Sequence, residues 1–270
     1  GVRNYEGSKF IMNSGVIATT LEDDNKVDKG GFDATTLRVD EGAEFVMNGG
    51  ELRNICDYTF ALDNYGKAVI NGGKATSVHS TVSTYGDLTI NGGEFTCNGI
   101  EGVTAHALVA WDGSVTTING GTFDGKDNYN GFNVDACAGA KVYIDGGEFK
   151  KVHSGSLYGE GEIVVDGGVF FDKVPAERLA EGYIAIEKDG KWTIVEGTVA
   201  NDAVSLATAV EKGGVIVLDE NITLNEPIVF DGVNVVASST VVEAIGDNAN
   251  IKLQNTVLST ADVEVENYAV

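Results

Sequence analysis

The sequence is poor in basic residues and has no long apolar run. Its 270 residues include 18 lysines and arginines against 41 aspartates and glutamates, which gives a formal net charge of −23. Nucleic acids and anionic membranes are bound through lysine and arginine contacts to phosphate, so both are excluded as expected partners. No apolar run approaches the roughly 18 residues of a membrane-spanning helix, so we expect no membrane insertion. Cations, neutral glycans and other proteins remain as partners.

Cysteine and proline are scarce as well. The three cysteines, Cys56, Cys97 and Cys137, have unrelated spacings and form no CxxC motif. A disulfide framework needs paired cysteines and a zinc site needs clustered ligands, so we interpret them as small buried apolar side chains. Glycine is abundant, with 36 residues against two prolines. Residues 1–12 already carry a repeat-like pattern, so we expect that some sequence upstream of Gly1 has been cut off or left out.

Six copies of one short phrase follow a degraded first copy. Each reads apolar, Asn or Asp, Gly, Gly, any residue, apolar, and the copies begin at Met47, Ile70, Ile90, Ile118, Ile144 and Val165, with the degraded copy at Met12. Successive Asn or Asp positions lie 20 to 35 residues apart. A fixed phrase recurring at such a spacing is typical of a solenoid, in which one coil cannot bury its apolar face alone.

Each coil is predicted to contain about three short strands. Alternating stretches such as Lys67–Ile70 precede the phrase and predict strands with one buried face. The Asn-Gly-Gly corner turns the backbone, and residues such as Phe95 and Phe123 begin another inward-facing strand. A second corner lies upstream, as at Tyr65-Gly66. No segment is long enough for a crossover helix, so the chain is predicted to be all-β, a parallel β-helix of about seven coils, right-handed by the general chirality of parallel crossovers.

The pattern divides the chain into three segments. Residues 1–172 form the predicted β-helix, and residues 173–196 a C-terminal cap made of a short helix and a hairpin with Asp189-Gly190 in its turn. Residues 197–270 begin with a predicted helix and continue as β-rich sequence, which fits either the start of a second β-helix or a small β domain. Residues in excess of about 20 per coil predict protruding loops at 22–32, 99–104 and 123–131.

The Asn or Asp of the phrase forms a column along the predicted solenoid. Stacked asparagine side chains can hydrogen-bond along such a column and satisfy turn amides, which predicts a structural ladder. Its members are Asn48, Asn71, Asn91, Asn119, Asp145 and Asp166, preceded by Asn13. The two aspartates place like charges one coil apart, so this end could instead hold Ca²⁺, which takes oxygen ligands. No other metal and no cofactor is expected.

Aromatic residues recur at the second corner. They are Tyr5, Tyr65, Tyr85, Trp111 and Tyr158. One interpretation is a structural column of rings that stack on one another and cover the edge of the core. The other is a glycan-binding strip made of Tyr65, Tyr85, Trp111 and Tyr158, whose exposed rings would stack against sugar faces.

Catalytic signals are weak. His79, His106 and His153 each lie five or six residues before a corner aromatic, but no motif places a partner beside them, and we interpret them as turn or rim residues. Glycan hydrolysis needs carboxylates that converge on a groove. The only adjacent acidic residues in a suitable loop are Glu22, Asp23 and Asp24, near Lys26 and Lys29. We therefore expect no catalytic residues and no enzyme.

The repeats resemble a known fold family. The coils are similar to the right-handed β-helices of the pectate-lyase-like superfamily. The Ile-Asn-Gly-Gly-x-Phe phrase, followed by Pro175, Glu181-Gly182-Tyr183 and Asp189-Gly190-Lys191-Trp192-Thr193, resembles repeats of bacterial surface proteins and of phage fibre or head-decoration proteins. The resemblance covers about residues 1–196 and implies a surface or virion setting. The family's Asp-Asp plus Gly-His-Gly pattern has no counterpart here.

These observations predict a non-enzymatic structural or adhesive protein outside a cell or on a virion. The leading expectation is a phage appendage, a fibre or capsid decoration, that presents a face for a host-surface glycan or protein or for other virion proteins. A bacterial cell-surface adhesin and a polysaccharide depolymerase or lyase are the alternatives. A purely mechanical spacer remains open, and fibres of this kind are often homotrimers.

Overall fold

The structure, a computed structural model, is an all-β parallel solenoid with about nine turns in the whole chain, where the sequence predicted seven. It describes residues 1–20, 34–56, 59–99, 104–126, 131–237, 240–246 and 249–260. The chain divides into two compact units. Unit 1 contains residues 1–178 and 190–192, and unit 2 contains residues 179–189 and 193–270. Much of the predicted loops 22–32, 99–104 and 123–131 falls outside the described residues.

Unit 1 consists of seven turns, each with three short strands. In chain order the turns are β1 (Val2–Asn4), β2 (Lys9–Met12), β3 (Val16–Thr19); β4 (Leu37–Val39), β5 (Glu44–Met47), β6 (Glu51–Asn54); β7 (Leu62–Asn64), β8 (Lys67–Ile70), β9 (Lys74–Ser77); β10 (Val82–Thr84), β11 (Asp87–Ile90), β12 (Glu94–Cys97); β13 (Leu108–Ala110), β14 (Val115–Ile118), β15 (Thr122–Asp124); β16 (Val134–Ala136), β17 (Lys141–Ile144), β18 (Glu148–Phe149); and β19 (Leu157–Tyr158), β20 (Glu162–Val165), β21 (Val169–Phe170).

Corresponding strands of successive turns pair in parallel. The first strands form sheet A, in the order β1-β4-β7-β10-β13-β16-β19, and the second strands form sheet B, in the order β2-β5-β8-β11-β14-β17-β20. Sheet C contains the third strands, from β3 to β21. Equivalent residues face each other without slippage, as Ile70, Ile90 and Ile118 do in sheet B. The repeat therefore sets the register, because a slip of one residue would turn the apolar set outward.

The core lies inside the three sheets and is built from alternate residues. Most strands of sheet B have the same burial pattern, with the second and fourth residues buried. In sheet C the phenylalanines of the phrase stack in a column. The ring centroids of Phe95 and Phe123 are 5.0 Å apart, those of Phe123 and Phe149 are 4.9 Å apart, and those of Phe149 and Phe170 are 4.3 Å apart.

The Asn-Gly-Gly corner between sheets B and C needs its glycines for two reasons. Gly73 has a φ of 97°, in the left-handed region that side chains rarely occupy. A Cβ atom on Gly73 would also lie 2.8 Å from the carbonyl oxygen of Gly50, one turn earlier. The second glycine of the phrase recurs because turns 2 to 7 all meet these two constraints.

A 3-10 helix at Ala176–Arg178 ends the seventh turn. The predicted hairpin is present: β22 (Tyr183–Lys188) pairs with β23 (Lys191–Ala200), and Asp189 and Gly190 in its turn both have positive φ.

Unit 2 continues with one helix and further parallel strands. Helix α1 (Ala203–Lys212) begins at the capping residue Asp202, whose side chain accepts a hydrogen bond from the backbone N–H of Ser205. The strands are β24 (Gly214–Leu218), β25 (Ile222–Leu224), β26 (Ile228–Asp231), β27 (Val233–Ala237), β28 (Val242–Ala244), β29 (Ile251–Gln254) and β30 (Val257–Thr260).

These strands stack as the strands of unit 1 do. β24, β27 and β30 pair in parallel, as do β25 with β28 and β26 with β29. Leu206 and Ala209 of α1 belong to the same buried cluster as Ile216 and Phe230. Of the two readings that the sequence left open for residues 197–270, the strand pairing therefore matches a second run of solenoid turns. No helix in the described part of the chain is both long and apolar enough to span a membrane.

Candidate functional site

The asparagine column forms a hydrogen-bonded ladder on the surface of unit 1. Each Nδ2 donates to the Oδ1 of the preceding turn: Asn48 to Asn13, Asn71 to Asn48 and Asn91 to Asn71 at 2.8 Å, and Asn119 to Asn91 at 2.7 Å. The predicted hydrogen bonds are thus present over five rungs. They run in one direction, from each turn to the one before.

The last two rungs are acidic and behave differently. Burial raises the pKa of Asp145, and a hydrogen bond to Asp166 and the charge of Asp166 raise it further. Oδ1 of Asp166 is buried and has no hydrogen-bond partner. The described residues include no group of three or more histidine, cysteine, aspartate or glutamate side chains that could hold a metal ion. The two carboxylates alone are a poor cage for Ca²⁺, which takes six to eight oxygen ligands.

Three of the five predicted corner aromatics form one stack. The rings of Tyr65 and Tyr85 lie 4.7 Å apart with planes 7° from parallel, and those of Tyr85 and Trp111 lie 5.5 Å apart at 9°. The guanidinium of Arg38 lies 4.3 Å from the centroid of Tyr65 and covers its outer face. Nε1 of Trp111 donates to Oγ of Ser83 at 3.1 Å.

This stack presents ring edges to solvent. Both faces of Tyr85 are covered by its neighbours, and Tyr85 is 37% exposed. A sugar that stacks on an aromatic side chain needs a free ring face. The stacking therefore leaves no open ring face on Tyr65 or Tyr85. Glycan binding by the four rings stays a prediction.

Tyr5 and Tyr158 lie outside this stack. In the register of sheet A, Asp40 occupies the position between Tyr5 and Tyr65, because Asn4 pairs with Val39 and Val39 with Asn64. Tyr158 pairs with Asp135 in the column that contains Asp63, two positions before the place equivalent to Tyr65. Its ring stacks on Phe132, with centroids 4.3 Å apart.

A second group of rings, which was not predicted from the sequence, lies at the N-terminal ends of the strands of sheet A. Phe60 contacts His79 edge to face at 5.6 Å, and His106 stacks on Phe132 at 5.7 Å. The only sequence signal for it was the similar placement of His79 and His106. His153, the third of these histidines, is exposed.

His106 is held as a neutral side chain. Its Nδ1 accepts a hydrogen bond from the backbone N–H of Phe132 at 3.2 Å, so the proton is on Nε2, which lies 3.4 Å from Oδ2 of Asp135. Burial lowers the pKa of His106 to about 4, with a further contribution from the charge of His79. At this pKa the imidazole of His106 is uncharged near neutral pH.

Asp63 is the most unusual carboxylate of sheet A. It has no exposed surface, and neither of its oxygens has a hydrogen-bond partner. Burial raises its pKa to about 6, although the nearby hydroxyls of Ser83 and Tyr65 and the charge of Arg38 act in the opposite direction. The closest positive charge is Nη1 of Arg38, 3.9 Å from Oδ2.

The buried Asp63 and the partly buried Asp135 of sheet A are not arranged for glycan hydrolysis. Asp63 and Asp135 share one column, separated by Ser83 and Val109. Three turns at about 4.8 Å place them about 14 Å apart, whereas glycosidase carboxylates are about 5 to 9.5 Å apart. The predicted acidic loop at Glu22, Asp23 and Asp24, with Lys26 and Lys29, lies outside the described residues.

The three cysteines all lie in the described part of the chain and are thiols that form no disulfide. Cys56 and Cys97 are buried and Cys137 is partly buried. The Sγ of Cys97 donates to the carbonyl oxygen of His79 at 2.9 Å, and burial raises the pKa of this thiol to about 12. Such a thiol is a poor nucleophile.

The candidate site is a notch at the corner between sheets A and B. Two residues connect β7 to β8 and β10 to β11, whereas four connect β4 to β5 and β13 to β14. Turns 3 and 4 are therefore recessed between longer corners. The recess has a volume of about 330 Å³ and is lined by Gly42, Ala43, Glu44, Tyr65, Gly66, Lys67, Gly86 and Asp87.

Glycine forms the floor of the notch because nothing larger fits. A Cβ atom on Gly66 would lie 2.4 Å from the carbonyl oxygen of Ala43, and one on Gly86 would lie 2.1 Å from that of Gly66. The shortened corner brings each backbone directly against the preceding turn. The Tyr-Gly corners were predicted from the sequence and the recess was not, although the number of residues between consecutive strands indicates it.

The rim of the notch alternates in charge. Glu44, Lys67 and Asp87 occupy equivalent positions in three successive turns of sheet B. A hydrogen bond to Lys9, with Nζ 2.9 Å from Oε2, and the charges of Lys9 and Lys67 hold the pKa of Glu44 below its usual value. All three rim residues are exposed to solvent, and Lys9 contacts one of the two carboxylate oxygens of Glu44.

Comparisons with known protein families, with curated proteins and with solved structures gave no match.

Proposed function

We propose that this protein is a non-enzymatic structural and adhesive element, a stiff β-solenoid that carries a binding surface on its side. The observation that carries the proposal is the unbroken stacking of unit 1. The asparagine ladder, the phenylalanine column and the Tyr65–Tyr85–Trp111 stack all run along successive turns. Because these side chains hydrogen-bond or stack with those of neighbouring turns, they favour a structural role over a catalytic one.

The setting we propose is extracellular. The repeats resemble those of phage fibre or head-decoration proteins, and a phage virion appendage that contacts a host-surface glycan or protein is the leading version. A bacterial cell-surface adhesin is the alternative. The right-handed coil of the pectate-lyase-like superfamily is part of the proposal, and so is a homotrimer, which mass measurement in solution tests directly.

The competing enzymatic function is polysaccharide cleavage. Its support is the raised pKa of Asp63, since raised carboxyl pKa values are frequent at catalytic sites. Against it, Asp63 is fully buried and Asp135 lies three turns away. A general acid has to reach the glycosidic oxygen, which a fully buried carboxyl cannot do.

One experiment separates binding from cleavage. The purified chain is incubated with bacterial cells and with their isolated capsular and wall polysaccharides, and both retention of the protein and release of reducing ends are measured. We expect retention without product. Product release that grows with time would establish the depolymerase instead, and neither retention nor product would leave only the mechanical spacer.

A further inference from the structure

We infer that the notch at Gly66 and Gly86 binds a short segment of a neutral or amino-sugar glycan. The inference rests on the proposed adhesive function and locates it at one place on the solenoid. It moves the glycan contact away from the faces of Tyr65 and Tyr85, which are covered by one another, by Trp111 and by Arg38.

The size of the notch fits a small polar ligand. Its volume of about 330 Å³ is at the lower end of the range of about 300 to 1,000 Å³ that is typical of ligand pockets. Two recessed turns give it a length of about 10 Å along the solenoid axis. The longer corners of turns 2 and 5 flank it, so a chain that crosses the corner can place only one or two units in the recess.

The rim selects hydroxyl groups. Glu44 and Asp87 offer acceptors, and Lys67 between them offers donors, at intervals of about 4.8 Å. A hydroxyl both donates and accepts, so neighbouring hydroxyls of one sugar can satisfy this alternation. The half-buried Tyr65 and the backbone of Gly66 and Gly86 supply a compact wall without competing side chains.

Other ligand classes fit less well. An added peptide strand needs a free sheet edge, and β7, β8, β10 and β11 are each paired on both sides. An anionic polymer meets two carboxylates and one ammonium at the rim, on a chain with a net charge of −23. Repulsion of like charges therefore excludes uronates and phosphates from the preferred ligands.

The test is an NMR titration of the full chain with defined oligosaccharides. The probes are cellotetraose, N-acetylated chitotetraose, its deacetylated cationic form and, as the anionic comparison, tetragalacturonate. We expect weak binding, with Kd of about 0.1 to 1 mM, because the notch is shallow and exposed. Amide shifts should concentrate at Gly42, Gly66 and Gly86.

One variant fills the notch, one changes its rim and one leaves both unchanged. Replacing Gly66 by Asp-Gly-Ser copies the corner at Asp112–Ser114 and fills the recess in turn 3. Asp87→Asn removes one rim carboxylate and keeps the shape. Glu162→Gln is the matched control, because Glu162 occupies the same column of sheet B outside the notch. We expect no detectable binding for the filled notch, about tenfold weaker binding for Asp87→Asn and unchanged binding for Glu162→Gln.

Each other outcome overturns the inference. Shifts that appear away from the notch, or binding equally lowered by Glu162→Gln, would leave adhesion in place and remove this site. Tighter binding of tetragalacturonate would contradict the ligand class. If none of the probes binds, the notch is not a glycan-binding site. The adhesive function is decided separately, by whether bacterial cells retain the protein. If the filled variant fails to fold, Asp87→Asn decides.

Discussion

The rings of Phe149 and Phe170 lie 4.3 Å apart with their planes within 1° of parallel. Both side chains are at most 1% exposed, and they continue the column that begins at Phe95. Aromatic pairs with this spacing add about 0.5 to 1.5 kcal/mol beyond the burial of their area. The final residue of the phrase therefore holds adjacent turns together from the inside, as the asparagine ladder does from the outside.

The middle of this column is its most sensitive point. Phe123 packs between Phe95 and Phe149 and has no exposed surface, so we expect Phe123→Ala to lower the free energy of unfolding by about 3 to 5 kcal/mol. Urea denaturation followed by circular dichroism measures the change. Phe171→Ala is the control, because Phe171 is 38% exposed, and it should cost less than about 1 kcal/mol. Equal losses would show that the column is not the source of stability.

The asparagine ladder is expected to contribute less to the free energy of unfolding than the phenylalanine column does. Asn91 donates to Asn71 and accepts from Asn119, so Asn91→Ala breaks two hydrogen bonds at an exposed position. We expect a loss of about 1 to 2 kcal/mol in the free energy of unfolding. Asn98→Ala, an exposed asparagine outside the ladder, is the matched control and should change stability by less than about 0.5 kcal/mol. A loss at Asn91 no larger than at Asn98 would mean that solvent replaces the ladder without cost.

The sequence predicted what repeats in every turn. Strand positions, the ladder and the phenylalanine column all follow from one phrase at fixed offsets, so a single pattern fixes them together. The assignment of Tyr158 to a corner was wrong. A Cβ atom on Gly161 would lie 2.5 Å from the carbonyl oxygen of Cys137, as one on Gly66 would lie 2.5 Å from that of Asp40. Gly161, and not Gly159, is therefore the counterpart of Gly66, and the Tyr158-Gly159 pair only resembled the corner.

Contacts between segments whose lengths differ from turn to turn could not be predicted from the sequence. His106 and Phe132 stack across turns in which the segments before sheet A differ in length and composition. No fixed offset relates such residues. The burial of Asp63 was hidden for a similar reason, because its position in the turn is occupied by Arg38, Ser83 and Val109 in neighbouring turns.

The acidic end of the ladder predicts a stabilising substitution. The pKa of Asp145 is raised above its ordinary value of 3.8. The contribution of Asp145 to the stability of the fold is therefore fully present below pH 3.8 and is lost as the pH rises through the raised pKa. Asp166→Asn supplies an Nδ2 donor to Asp145 in the direction used by the rest of the ladder. We expect higher stability at pH 7 and a smaller fall in stability above pH 4, measured as urea midpoints.

Asp166→Ala is the comparison for this substitution, since it removes the charge but brings no donor. It should give a smaller gain than Asp166→Asn at pH 7. An Asp166→Asn variant no more stable than the original chain would mean that the carboxylate pair is relieved by solvent or by a bound cation. Adding millimolar Ca²⁺ to the original chain distinguishes these two, because only a bound cation raises the midpoint.

The last prediction concerns Asp63, whose pKa of about 6 lies above its ordinary value of 3.8. A raised pKa means that the folded chain holds the proton more tightly, so stability falls as the pH rises from about 4 through 6. Asp63→Asn keeps the shape without the charge, and we expect it to raise the free energy of unfolding at pH 7 by on the order of 2 kcal/mol, with no gain at pH 4.

Asp40→Asn is expected to have the opposite effect on stability, although Asp40 also lies beside Arg38. Burial acts to raise the pKa of Asp40, but hydrogen bonds and charges from Arg3 and Arg38 outweigh it and hold the pKa below the ordinary value. Its contribution is present above pH 4 and lost as the pH falls, so Asp40→Asn should destabilise the chain at pH 7. If both substitutions lower stability at pH 7, the charge of Arg38 stabilises the carboxylate of Asp63 as it does that of Asp40, and Asp63 is a paired charge despite the 3.9 Å separation.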